Sequence, residues 1–232
     1  MKTIKIILIF LLSLFSNAQD TIVFQAEYKV AVIENKNSQL EKMILEINKN
    51  SNNIINEFVF NLDISNNKSY FSLVDKLYSD DEAKKFGLLK LSYIGENIQS
   101  NDSVFKVFNF GDKTRLVGNK KNIDWKTTTE TKTISGYVCY KATLTDIIIN
   151  SKGTFNFPVT AWYCPELPYS YGPLHFGGLP GLIVELQTKD GVFGLSSYKI
   201  ISNHEIIKKI TNDTIISEEK AKDIIIEKQK NE

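Results

Sequence analysis

The chain has 232 residues with 28 basic and 27 acidic side chains, and 42% of its residues are hydrophobic. That balance supports a folded domain and removes the electrostatic case for a nucleic-acid or anionic-surface partner. Arg115 is the single arginine, which argues against bidentate recognition of phosphate or carboxylate.

Residues 1–18 place Lys2 and Lys5 ahead of an apolar block from Ile6 to Phe15, followed by small and polar residues ending at Ala18. This order is that of a secretory signal peptide with cleavage after Ala18. The block is shorter than the roughly 20 residues a spanning helix needs, and the mature chain carries no longer one. The reading is an exported protein, periplasmic, outer-envelope associated or secreted, with no transmembrane segment in the mature chain. Without the two leader lysines, residues 19–232 hold 26 basic and 27 acidic side chains, a net charge near −1. That length suits one domain.

From residue 22 onward, short apolar runs alternate with polar residues and are separated by Asn, Asp, Gly and Ser. The pattern predicts antiparallel strands at 22–33, 41–48, 56–63, 68–74, 88–94, 103–110, 113–118, 126–134, 137–148, 154–163, 181–189 and 192–201. Ser79 and Glu82 have capping-box spacing, which predicts a short helix over 80–86. Ser217 followed by Glu218 and Glu219 predicts a terminal helix, although Ile224 to Ile226 could extend a strand. The fold class is therefore mainly β, a single domain on a curved antiparallel sheet with one or two short helices.

Two hairpins are specified closely. Asp190-Gly191 lies between alternating runs, the strongest short-range hairpin signal. A loop at 150–153 sets Ile149 opposite Thr154, and that register places Cys139 opposite Cys164. The two are the only cysteines, and an exported location favours a disulfide between them. Unpaired core thiols are the alternative.

Between Cys164 and Gly181 the chain reads CPELPYSYGPLHFGGLPG and carries four of its five prolines. No strand survives that density. Ordered loops longer than about 12 residues are uncommon and usually functional. Pro180-Gly181 predicts a type II turn over 179–182, with Gly178 allowing close backbone approach. Gly178, Pro180 and Gly181 are read as a structural corner. The competing reading is a histidine-centred site.

For chemistry there is little. His175 and His204 are the only histidines. No HExxH, GxSxG, SxxK or phosphate-binding glycine loop occurs. The expectation is a non-enzyme with no metal and no cofactor. Candidate ligand-binding residues are Trp162, Tyr169, Tyr171, His175 and Phe176, aromatic groups able to line a groove for an apolar molecule or peptide. The alternative partner is an envelope protein docked with no small-molecule site; a thiol- or metal-assisted hydrolase is the third reading.

The series WKTTTETKTISGYVCYKA at 125–142, AWY at 161–163, PELP at 165–168 and GGLPGLI at 177–183 resembles the GLPGLI family of exported Gram-negative bacterial proteins. FVFNLDISNNKSYF at 58–71 resembles a further block of that family. The resemblance implies an envelope or secreted location and one β-rich domain, and it implies no activity. Threonine is common in that family where Cys164 stands here. The tryptophan, Gly-Tyr-x-Cys and Ala-Trp-Tyr order also looks like that of half-barrel proteins similar to periplasmic lipoprotein carriers, in which helices cover a concave sheet.

Overall fold

A computed structural model describes residues 22–34, 39–100, 103–110, 113–120, 123–150, 153–202 and 214–216. The leader, His204 and the predicted terminal helix lie outside the described residues.

The chain is mainly β, as its alternation predicts. In order, the strands are β1 (Ile22–Val32), β2 (Val59–Ser65), β3 (Lys68–Leu73), β4 (Asn97–Gln99), β5 (Ser103–Phe110), β6 (Lys113–Lys120), β7 (Lys126–Ile134), β8 (Tyr137–Asn150), β9 (Gly153–Cys164), β10 (Leu182–Gln187), β11 (Gly191–Ser202) and β12 (Thr214–Ile216). They form one open sheet ordered β12-β6-β5-β4-β3-β2-β1-β11-β10-β9-β8-β7. All neighbours are antiparallel except β12, which runs parallel to β6.

Period-two patterning sorts the side chains. Phe24, Ala26, Tyr28 and Val30 of β1 share a face with Phe60, Leu62 and Ile64 of β2 and with Phe71 of β3. These residues are buried and join Phe193, Val159, Ala161 and Leu186 in one core. Phe60 and Phe71 stack at 5.2 Å, and Tyr93 and Phe193 meet them edge-on. At roughly 25 cal/mol per Å² of apolar surface, burying these large rings stabilises the fold.

The sheet is strongly curved toward that face. Lys106 on β5 and Asp146 on β8 lie eight strands apart in the order. In a flat sheet eight spacings of about 4.8 Å would separate them by about 38 Å. Yet Gln99 on β4 and Trp125 beside β7, also eight strands apart, both hydrogen-bond the short segment 172–177, so the sheet bends round toward this face. The concave face is covered by the helix α2 (Asp81–Lys90), by the 3-10 turn Asn53–Glu57 and by the segment 165–181, while the helix α1 (Gln39–Ile47) and the 3-10 turn Lys49–Ser51 pack alongside α2.

Two expected strands are helical instead. Residues 41–47 belong to α1: Leu40, Ile44 and Ile47 fit a 3.6-residue repeat as well as Met43, Leu45 and Ile47 fit a two-residue one, and Glu41 suits the first turn of a helix. Residues 88–94 hold the end of α2 and its cap. Ser92 takes a positive φ of 53°, its N–H bonds to Leu89 O, and the Tyr93 N–H reaches back to Leu88 O. This is a Schellman stop built on serine rather than glycine, so the stop signal was hidden. At the other end Asp80, not Ser79, is the cap, accepting the Ala83 N–H at 2.8 Å.

α1 and α2 are joined by a buried ion pair. Lys90 Nζ donates to Glu41 Oε1 at 2.5 Å and to Asn52 Oδ1 at 2.5 Å.

Candidate functional site

The 150–153 loop sets the register its residues predict: Asn150 faces Gly153 and Tyr140 faces Tyr163. The second hairpin is displaced by one residue. Thr188 N–H bonds to Gly191 O at 2.9 Å, so Lys189-Asp190 occupies the turn and Gly191 begins β11. There Gly191 lies within 3.0 Å, at its missing Cβ, of Ala31 O and of Leu91. Close packing, rather than turn geometry, requires the glycine.

The segment 165–181 is an ordered strap laid across the concave face. Leu167, Tyr171, Leu174, Phe176 and Leu179 point into the core. Three main-chain carbonyls on its crest are held from the sheet. Gln99 Nε2 donates to Gly172 O at 3.1 Å and Leu174 O at 3.0 Å, and Trp125 Nε1 donates to Gly177 O at 2.9 Å. Ile183 N–H bonds to Tyr171 O, and the Tyr28 hydroxyl donates to Ile183 O at 2.7 Å. Burial raises the Tyr28 pKa well above its ordinary value, which keeps that donor protonated.

The predicted type II turn at 179–182 is not the one formed. Gly181 N–H bonds to Leu179 O, closing a three-residue turn on Pro180, while Leu182 N–H goes to Leu167 O. Proline's fixed φ suits the centre of such a turn. Gly181 has φ +147°, and a Cβ there would stand 2.2 Å from Cys164 O. The GLPG segment is a corner pressed directly onto the start of the strap.

The five candidate ligand residues do not converge on one groove. Trp162, Tyr171 and Phe176 are 9%, 6% and 3% exposed, already used for packing. Phe176 stacks with His175 at 4.2 Å and leans on Trp125. Tyr169 lies elsewhere, stacked on Phe24 at 4.1 Å. Trp162 faces the other side of the sheet, beneath the ammonium of Lys132 at 4.4 Å, which also pairs with Glu185 at 2.7 Å. Cys139 and Cys164 are both buried and unbridged. Among the described residues, no group of three or more His, Cys, Asp or Glu is placed to hold a metal ion. No described helix is long and apolar enough to cross a membrane.

What sequence reasoning missed is the far end of the β8–β9 hairpin. β7 accompanies β8 only as far as Thr143, opposite Lys126, and β10 accompanies β9 only from Thr160, opposite Gln187. Beyond those points, among the described residues, the two strands pair only with each other. This two-stranded arm exposes Ile147, Ile148 and Phe155 at 58%, 37% and 39%, and Phe155 stacks along the strand with Phe157. The signal was present in DIII, whose consecutive isoleucines place apolar residues on both faces of the strand.

Residues 150–185, from the arm through the strap into β10, match the profile of a family described as "Protein of unknown function (Porph_ging)". No curated protein matches the chain. Two structures of PNGF-II, in P21 and C2 crystal forms, resemble this one with TM-scores of 0.55 and 0.53, at 17% and 16% identity over 88% of this chain. The chain spans about a third of the length of those PNGF-II chains (33% and 32%). That likeness is one of fold.

Proposed function

We propose that this is an exported, non-enzymatic binding module of the GLPGLI family whose working surface is the β8–β9 arm, docked against an envelope protein. The observation that carries the reading is the exposure of Ile147, Ile148 and Phe155 where the β8–β9 arm outlasts β7 and β10. Single exposed apolar residues are ordinary, but a contiguous group on a free hairpin is typical of interaction surfaces. An arm of this kind offers side-chain contacts and also unpaired main-chain edges for strand addition. Export is supported by the composition of residues 1–18, and the GLPGLI assignment by the hexapeptide and its flanking motifs; the match over 150–185 supports only a family of unknown function.

A second reading keeps a small ligand beneath the strap. Ser69 and Gln99 face each other across β3 and β4, both fully buried, and Ser69 Oγ and Gln99 Oε1 have no hydrogen-bond partner among the described residues. Buried polar atoms of that kind call for a partner.

The test is a photo-crosslinking amino acid placed at Ile147 or Phe155 in the native envelope, with Leu77 as an exposed control. Arm-specific adducts to one protein, lost in an Ile148→Lys variant of unchanged melting temperature, are the expected result. Equal adducts from Leu77 overturn the arm as the docking surface. A small molecule retained in native mass spectrometry, and lost in Ser69→Ala, shifts the assignment to the strap.

A further inference from the structure

We propose that Cys139 and Cys164 form an intramolecular disulfide that closes while the chain folds and clamps both ends of the strap. The ladder between β8 and β9 ends with Tyr140 opposite Tyr163. Extending that register by one step sets Cys139 opposite Cys164. Neither has left the sheet, since Cys139 is paired with Lys132 on its other side and Cys164 with Leu182. Directly opposed residues of an antiparallel pair have α-carbons about 4.5 or 5.5 Å apart, and both values fall within the disulfide range.

The position makes the bond consequential. Cys164 is the residue from which the strap departs. Its carbonyl accepts the Leu167 N–H at 3.2 Å at the strap's beginning, and Gly181 packs against that same carbonyl at its end. A bridge to Cys139 therefore fixes entry and exit together, at the end of the β8–β9 pair opposite the arm.

Folding order follows from burial. Both cysteines are 0% exposed, and burial together with the neighbouring Cys164 pushes the Cys139 thiol up to about 11. The thiolate is the attacking species, and in the folded chain both cysteines are closed off from an external disulfide, so closure belongs to the open chain. The oxidant is an external disulfide such as glutathione disulfide. One cysteine thiolate attacks it, forming a mixed disulfide and releasing a glutathione thiolate. The second cysteine thiolate then attacks the protein sulfur and releases the other. The protein's two sulfurs are oxidised, the external disulfide is reduced to two thiols, and the two protons lost from the protein are taken up there.

The experiment refolds the reduced, denatured mature chain with glutathione disulfide and maps non-reduced tryptic peptides. Lys141 and Lys152 allow the two cysteines to be separated. The expected result is a linked 139–164 pair and a chain lighter by two hydrogens, with amide exchange over 164–182 slowed at least several-fold relative to Cys139→Ala/Cys164→Ala. Folded, reduced protein given the same oxidant keeps two free thiols. Two free thiols or two glutathione adducts after oxidative refolding overturn the bridge. Equal strap exchange in bridged and alanine proteins overturns the clamp, and rapid oxidation of the folded protein overturns the order.

Discussion

Gly181 shows what one missing β-carbon does. A methyl group at that position meets the Cys164–Pro165 peptide at 2.2 to 2.8 Å, in a backbone conformation that L side chains rarely adopt. Gly136 also has positive φ, +88°, but no atom lies within 4 Å of its Cβ position. Gly136→Ala should cost about 1 kcal/mol, from backbone strain alone. Gly181→Ala should cost at least about 3 kcal/mol, since either the strap or β9 must move. Urea unfolding of the two variants checks the difference, and equal losses would refute the contact. Asp146 supplies a pH test. Burial raises its pKa, against the opposing pull of Lys189 and Lys106. A raised carboxyl pKa means the folded state holds its proton more tightly than the unfolded chain, so the ionised group opposes folding above the folded pKa and ceases to do so below the unfolded value near 3.9. Asp146→Asn should therefore melt higher than wild type at pH 7 and lose that advantage by about pH 3.5. The corner glycine was legible from the Pro-Gly pair; its contact was not, because Cys164 is seventeen residues away.

At the scale of elements, the helices rest on few residues. α1 buries Ile44 and Glu41 while Met43 and Ile47 stay exposed, so much of its attachment runs through the Lys90 pair. Removing one partner of a buried ion pair strands the other, at about 3–5 kcal/mol. Lys90→Met should show that loss in urea unfolding, and Lys90→Met/Glu41→Leu should regain most of it. A double variant no more stable than the single one would assign the loss to shape rather than to charge. Strands longer than six residues were readable from alternation, and β5, β7 and the β8–β9 register came out as expected. The failures have a common cause. α1 satisfies both periods, α2 ends on a serine in the left-handed region, and β4 and β12 are three residues each, too short for any period to be expressed.

For the molecule as a whole, curvature is the decisive property. With Lys106→Cys and Asp146→Cys introduced, and the native thiols replaced by alanine, a short bis-maleimide linker should join β5 to β8 within one folded chain. A sheet flat enough to hold those strands tens of ångströms apart would give no such product. Alternation, turn residues and a proline-rich interruption determined that this chain builds an antiparallel sheet and breaks it once with an ordered strap, because each is a local property of consecutive side chains. Where the strap lies, which aromatic residues are consumed by the core, and which hairpin is left without neighbours were decided only by the tertiary structure. Those outcomes depend on how far each strand outlasts its partners and on how sharply the sheet twists and bends, and both are set by contacts between residues remote in sequence.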